Sequence, residues 1–128
     1  MDLQACRLAG SIKIQLANSE AIPEGTEVGV CNTLPLSMFS NIEVFLNNTQ
    51  ISYSGAVPLA YKNYLETALS YTSEGKEHLL RPSLFFKDHP PGTLDTNNNK
   101  GYQKRRELFA QSREIDFECH LPIDFFKC

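Results

Sequence analysis

Residues 41–55, NIEVFLNNTQISYSG, decide the fold because they join two short alternating segments through an Asn-Asn pair. Asparagine tolerates positive φ, which both central residues of a type I′ turn require, so Asn47-Asn48 predicts a two-residue hairpin turn. A register shift of one residue would move Ile51 to the face of Glu43 and Phe45. The pattern therefore predicts one register, with three cross-strand pairs on the apolar face: Leu46 with Thr49, Val44 with Ile51, and Ile42 with Tyr53.

The segment after this hairpin has the periodicity of an amphipathic helix, at about residues 58–73. Pro58 suits the first turn, where its missing N–H has no consequence, and Gly75 suits the end. We expect the apolar stripe of this helix to cover the hairpin through Leu65 and Leu69. The alternative is a ligand groove along the same stripe, which comprises Tyr61, Tyr64, Leu65, Ala68, Leu69 and Thr72.

Further strands are predicted on both sides of the hairpin and helix. The clearest is REIDFECHL, residues 113–121, in which Ile115, Phe117 and Cys119 alternate strictly with charged or polar residues. The other candidates are SIKIQLA (11–17), EVGVC (27–31) and SLFFKD (83–88). This order predicts a mainly β protein with one inserted helix.

A long polar stretch interrupts the predicted strands. Residues 88–101, DHPPGTLDTNNNKG, contain two prolines, two glycines and three consecutive asparagines. A loop of this length is unusual inside a small domain and often forms a contact surface. We expect it to be the least ordered internal segment, and a contact element in any assembly.

Length and composition limit the classes of protein to consider. The 128 residues correspond to about one domain, and 41% hydrophobic with 21% charged residues is ordinary for a globular chain. A net charge of −3 gives no basic face for nucleic acid. No apolar run approaches the roughly 20 residues that span a bilayer. The start, MDLQACRLAG, lacks the features of a secretory signal, and localisation stays open.

The sequence contains no recognisable catalytic, cofactor or metal site. The four cysteines are far apart and form no CxxC pair, so a zinc site is not expected. Without a secretory signal, free thiols are favoured over disulfides. Cys119 and His120 are adjacent, but neighbouring residues of a strand point to opposite faces and cannot act together. The Lys104-Arg105-Arg106 run is interpreted as a solvated edge. The cysteines are Cys6, Cys31, Cys119 and Cys128.

The order of several weak motifs resembles a family of animal-genome proteins linked to Polinton (Maverick) elements and adintoviruses. The resemblance covers about residues 28–126 and depends on MFSNIEVFLNNTQIS, AYKNYLETALSY, LFFKD, SREIDF and CHLPIDFF. The matching positions are Phe39-Ser40, Leu46-Asn47, Tyr61, 64–67, 69–71, 85–88, 112–116 and 121–126.

These relatives are double jelly-roll major capsid proteins, so the resemblance implies a partial jelly-roll-type antiparallel sandwich. It also implies a structural protein that self-associates, as a trimeric capsomer in the full-length pattern, with no cofactor and no specific nucleic-acid or membrane partner. About seven strand candidates are fewer than one complete jelly roll requires. We therefore expect residues 1–128 to form a single incomplete domain that is unstable or associates when isolated. The alternative is a small, intact, β-rich protein-binding domain of the host.

Overall fold

The computed structural model describes residues 5–51, 58–91 and 97–121. Of these residues, 36% are helical and 15% lie in strands, so the prediction of a mainly β protein overestimates the strand content. The strands are β1 (Arg7–Ile12), β2 (Phe45–Leu46), β3 (Thr49–Gln50) and β4 (Ile115–His120). The helices are α1 (Leu34–Ser37), α2 (Leu59–Ser70), α3 (Ser73–His78) and α4 (Lys100–Leu108), with short 3-10 turns at Arg81–Ser83 and Ala110–Ser112.

The predicted hairpin is confirmed within the described residues. Asn47 and Asn48 both have positive φ, 49° and 62°, as a type I′ turn requires. Strands β2 and β3 are antiparallel, and Leu46 lies opposite Thr49. The backbone N–H of Ile51 donates to the carbonyl of Val44 at 2.9 Å, which continues the predicted register. The partner predicted for Ile42, Tyr53, lies outside the described residues.

The second sheet joins segments from the two ends of the described chain. Strand β1 pairs antiparallel with β4, with Leu8 opposite Cys119 and Ile12 opposite Ile115. The alternation predicted for β4 is confirmed, because Cys119 is buried while Glu118 and His120 are exposed. The first strand was predicted at 11–17 and is found at Arg7–Ile12, so only its last two residues fall inside the prediction.

The core lies where α1 and α2 meet the β1–β4 sheet. Leu36 of α1, Leu59 of α2 and Cys119 of β4 form one buried cluster. Three half-buried side chains from the sheet and the hairpin strand pack against it: Leu8, Ile42 and Phe117.

Helix α2 presents a different face to this core from the one predicted. Asn63 and Thr67 are buried, whereas Leu65 and Leu69 are 53% and 83% exposed. The predicted covering of the hairpin by Leu65 and Leu69 is therefore wrong. Helical periodicity identified the helix but assigned its apolar stripe to the wrong side.

The buried face of α2 carries a polar contact. The Asn63 side-chain amide donates to the Thr33 hydroxyl at 2.9 Å. Thr33 is also buried, and its backbone N–H donates to the carbonyl of Leu84 at 3.3 Å. The buried face of α2 therefore carries a polar pair that is satisfied in place, since an unpaired buried polar group costs about 1–3 kcal/mol.

Two predicted strands, 27–31 and 83–88, have no strand hydrogen bonding. In the second of these segments, Leu84 has a left-handed backbone with φ of 62°, which ends any extended run. Residues 85–88 form irregular coil, and side chains bind the backbone N–H and carbonyl of Phe86 in this segment.

The end of the predicted loop at 88–101 is helical. Asn99 caps α4, with its side-chain oxygen accepting from the Tyr102 N–H at 3.1 Å, and Lys100 and Gly101 lie in the first turn. Residues 92–96 of the predicted loop lie outside the described part of the chain. Gly75 lies inside α3 and does not follow directly on α2, which ends at Ser70.

Candidate interaction groove

An open groove of about 920 Å³ lies between α2 and the segment 85–91. One wall is α2, and the opposite wall comes from segment 85–91. Cys31 and Asn32 also line the groove. The side chains that give the groove its character are Tyr61, Tyr64, Leu65, Lys76, Lys87, Asp88 and Arg105.

The α2 wall carries the apolar stripe that the sequence predicts. Tyr61 and Tyr64 are 66% and 70% exposed, and Leu65 lies beside them. The sequence allows two interpretations of this stripe, a core face and a ligand groove, and the structure places four of its residues in the groove lining: Tyr61, Tyr64, Leu65 and Ala68. A wall of exposed tyrosine and leucine supplies large contact area together with hydroxyl groups that donate and accept hydrogen bonds.

Arg105 lies at the base of the groove and is only 6% exposed. The interpretation of the Lys104-Arg105-Arg106 run as a solvated edge is therefore wrong for Arg105. Lys104 is exposed, and Arg106 forms an ion pair with Glu27 at 2.7 Å. Helical geometry separates the three consecutive residues by about 100° each, so one of them can face the interior while its neighbours do not.

The Arg105 guanidinium binds four acceptors. Its Nε donates to the carbonyl of Val30 at 2.9 Å, and its Nη1 donates to the carbonyl of Phe86 at 2.7 Å. Nη1 also donates to Asn32 Oδ1 at 2.8 Å, and Nη2 forms an ion pair with Asp88 at 3.1 Å. A buried charge is tolerated only when it is paired and hydrogen-bonded in this way.

Asn32 completes the base of the groove. Its Oδ1 accepts both from Arg105 and from the Phe86 N–H, the latter at 2.8 Å. Residues Val30 and Phe86 belong to the two segments that the sequence predicts as strands. Side chains of Asn32 and Arg105 thus take the place of a backbone ladder between them. Sequence reasoning missed this role, since nothing local distinguishes a structural arginine in a basic run.

The charges along the groove have an excess of positive sign. Among the described residues that line the groove, three basic side chains, Lys76, Lys87 and Arg105, accompany one carboxylate, that of Asp88. Arg105 and Asp88 neutralise each other, which leaves the two lysines. Lys76 Nζ lies 3.4 Å from the carbonyl of Ala68 and so stays at the α2 wall.

The described thiols differ in environment. Cys31 and Cys119 are free thiols, as predicted, and Cys128 lies outside the described residues. Cys31 is exposed at the groove, whereas burial, with a smaller effect of Glu118, raises the pKa of Cys119 from 9.0 to about 11. Cys119 and His120 point to opposite faces, so they form no nucleophile–base pair.

We expect alkylation to distinguish these two thiols. Because the thiolate is the reactive form, a raised pKa keeps Cys119 protonated until the pH approaches 11, and its burial blocks access. In a chain with Cys6→Ser and Cys128→Ser, iodoacetamide at pH 8 should modify the exposed Cys31 at least about tenfold faster than the buried Cys119. Mass spectrometry of the peptides measures both rates. Equal rates in the folded protein would contradict the placement of Cys119, and equal rates in urea are the control.

The part of the chain that the structure describes contains neither a metal-binding cluster nor a membrane-spanning helix. In residues 5–51, 58–91 and 97–121, no three His, Cys, Asp or Glu side chains are grouped so that they could hold a metal ion. None of the helices in these ranges has the length and apolar character needed to cross a bilayer. Comparison with protein-family models, curated proteins and solved structures gave no match to this chain.

Proposed function

We propose that this chain is a structural, capsid-like protein that acts by self-association and without catalysis. The observation that supports this proposal best is the exposed apolar stripe of α2, with Leu65 and Leu69 53% and 83% exposed beside Tyr61 and Tyr64. Contiguous apolar patches of this kind are uncommon on monomeric proteins and mark interaction surfaces. The motif order in the sequence supports a capsid-like protein among the self-associating classes.

A jelly-roll-type sandwich is part of the proposal. Jelly rolls are built from Greek keys, in which a later strand returns over a long connection to lie beside the first. The antiparallel pairing of β1 with β4, whose paired residues are more than a hundred positions apart in the chain, is compatible with such a long connection and supports this part of the proposal. The trimeric capsomer that the resemblance implies is the proposed assembly, without a nucleic-acid or membrane partner.

Replacing the α2 leucines tests self-association. We expect the double variant Leu65→Lys with Leu69→Lys to remain folded, because both side chains are exposed and lysine is a good helix former. Burying a leucine contributes roughly 1.5–3 kcal/mol, so losing two should weaken association about a hundredfold or more. Sedimentation velocity over a range of protein concentrations measures this change.

The matched control is Leu79→Lys. Leu79 is 71% exposed but follows α3 and is not part of the α2 stripe, so its replacement should leave association unchanged. A wild-type chain that stays monomeric at every accessible concentration would refute the proposal. Association that survives the α2 double variant would assign the contact to another surface.

The second candidate is a host protein-binding domain, which the groove itself favours. A concave site of about 920 Å³ with tyrosines on one wall has the size and character of sites that bind part of another molecule. The same sedimentation experiment separates the two functions. A cooperatively folding monomer would favour the binding domain, and concentration-dependent oligomers would favour the structural protein.

A further inference from the structure

We infer that the occupant of the groove is the acidic loop at residues 18–27 of a second copy of this chain. The inference rests on the proposed function, since it specifies which surfaces meet when copies associate. It assigns a head-to-tail contact, in which the groove of one copy receives the loop of the next.

The loop has the charge that the groove lacks. Residues 14–61 contain four glutamates and no lysine or arginine, and three of those glutamates lie in the loop, at Glu20, Glu24 and Glu27. Glu27 is neutralised within its own copy by Arg106 at 2.7 Å. Two carboxylates, Glu20 and Glu24, therefore match the two lysines that the Arg105–Asp88 pair leaves in excess.

The loop is exposed on both sides of one anchored residue. Every residue from 18 to 27 is exposed except Ile22, which is 4% exposed. The Ile22 N–H donates to the Ser112 hydroxyl at 2.8 Å, so the middle of the loop is held on the body of the protein. Glu20 and Glu24 stand on either side of this anchor, and each is exposed.

The side chain of Glu20 and the backbone around Glu24 are held before any contact forms. The Asn18 amide donates to Glu20 Oε2 at 2.8 Å, and Asn18 Oδ1 accepts from the Glu20 N–H at 3.1 Å. On the other side, the Thr26 N–H donates to the carbonyl of Pro23 at 3.2 Å, around Gly25 with φ of 84°. A loop that is already ordered loses little conformational freedom on binding.

The groove offers matching groups to such a loop. Lys76 and Lys87 attract the carboxylates, and the hydroxyls of Tyr61 and Tyr64 can donate hydrogen bonds to them. The tyrosine rings can cover the apolar part of Pro23. Because the two surfaces are different, the contact is heterologous, and repeated copies close into a ring or continue as a filament.

Reciprocal charge reversal tests this contact. The groove variant carries Lys76→Glu with Lys87→Glu, and the loop variant carries Glu20→Lys with Glu24→Lys. Each variant alone places like charges together, so we expect its dissociation constant to rise at least about tenfold. An equal mixture restores opposite charges wherever unlike copies meet, so the dissociation constant of its mixed dimer, the first step of assembly, should return to within about threefold of wild type.

The control reversal is Lys104→Glu, which changes an exposed lysine that does not line the groove and should leave association unchanged. Circular dichroism melts establish that all variants are folded. Sedimentation velocity at low ionic strength is the readout, and added salt should weaken wild-type association, since exposed charges are screened.

The outcomes separate this inference from the proposed function. Loss of association in each variant with recovery in the mixture supports the loop–groove contact. A wild-type chain that associates normally while both variants also associate normally overturns the contact and leaves self-association standing. Loss in both variants without recovery in the mixture also overturns it, and a wild-type chain that never associates overturns both.

Discussion

Replacing Arg105 with methionine is expected to destabilise the protein by about 3–5 kcal/mol, because three half-buried acceptors lose a donor and an unsatisfied buried group costs about 1–3 kcal/mol. Methionine keeps much of the length and apolar stem of arginine but provides no donor. Asp88 loses its ion-pair partner, and the carbonyls of Val30 and Phe86 lose a donor that binds both. Urea unfolding, followed by circular dichroism, measures the change in the free energy of unfolding.

The magnitude matters because domains of this size have a free energy of unfolding of only about 5–15 kcal/mol. A loss of the expected size removes a large part of it and should lower the melting temperature by well over ten degrees. The matched control is Lys104→Met, one residue away on the same helix but exposed, which should change stability by no more than about 0.5 kcal/mol.

Arg105→Lys separates charge from geometry. Lysine retains the positive charge and can still approach Asp88, but a single ammonium cannot span acceptors on two different segments as a planar guanidinium does. We expect this variant to lose more than half as much stability as Arg105→Met. If the free energy of unfolding of Arg105→Met is lower than that of wild type by less than about 1 kcal/mol, the guanidinium does not join the segments that contain Val30 and Phe86.

The hairpin could be predicted from sequence because its information is local. Two asparagines adopt the positive φ of the turn, and the two-residue alternation around them then determines which residues pair. Strand β4 was predictable for the same reason, since its alternation alone separates the buried Cys119 from the exposed Glu118. These elements need no knowledge of the rest of the chain.

The failures share a different cause, namely side-chain hydrogen bonds between distant segments. The segments 27–31 and 83–88 have apolar residues typical of strands, but Asn32 and Arg105 bind their backbone groups and no ladder forms. Helix α2 buries the face that carries Asn63, which bonds Thr33 in the interior, and its apolar stripe lies on the exposed side. Sequence periodicity ranks residues by hydrophobicity and carries no information on such long-range polar pairs.

The candidate groove was predictable only in part. The stripe of α2 was recognised from its spacing, and a ligand groove was one of two interpretations. The basic side of the groove was not recognised, because Lys76, Lys87 and Arg105 are scattered in sequence and meet only through the fold. Pro23 and Gly25 indicate a loop at residues 18–27, but the charge of this loop acquires meaning only beside a basic groove.

Gly101 is the position at which a single methyl group should have the next largest effect. In a helix, replacing glycine by alanine normally stabilises by about 0.5–1 kcal/mol. Gly101 is buried in the first turn of α4, where an added Cβ would lie 2.6 Å from the carbonyl oxygen of Phe86 and closer still to that of Lys87. Both obstacles are backbone atoms, so Gly101→Ala should instead destabilise by about 1–3 kcal/mol, as overpacking does.

Gly75→Ala is the matched control, because Gly75 is also helical but its added Cβ would come no closer than 3.2 Å to its nearest contact, the Thr72 hydroxyl, and would otherwise make ordinary contacts with Tyr71 and Leu79. Its effect should stay within about 1 kcal/mol of zero. Urea unfolding of both variants decides the matter, and a Gly101→Ala protein more stable than wild type would contradict the close approach of α4 to residues 86 and 87.

The clash at Gly101 should also depend on Arg105, since the guanidinium holds the Phe86 carbonyl that the new methyl group would displace. With Arg105→Met, that carbonyl is free to move away, so adding Gly101→Ala should cost less than it does in the wild-type protein. A double-mutant cycle measures this coupling, which we expect to be at least about 0.5 kcal/mol, as for residues that share a contact. Strict additivity would mean that the Phe86 backbone is held in place by something other than Arg105.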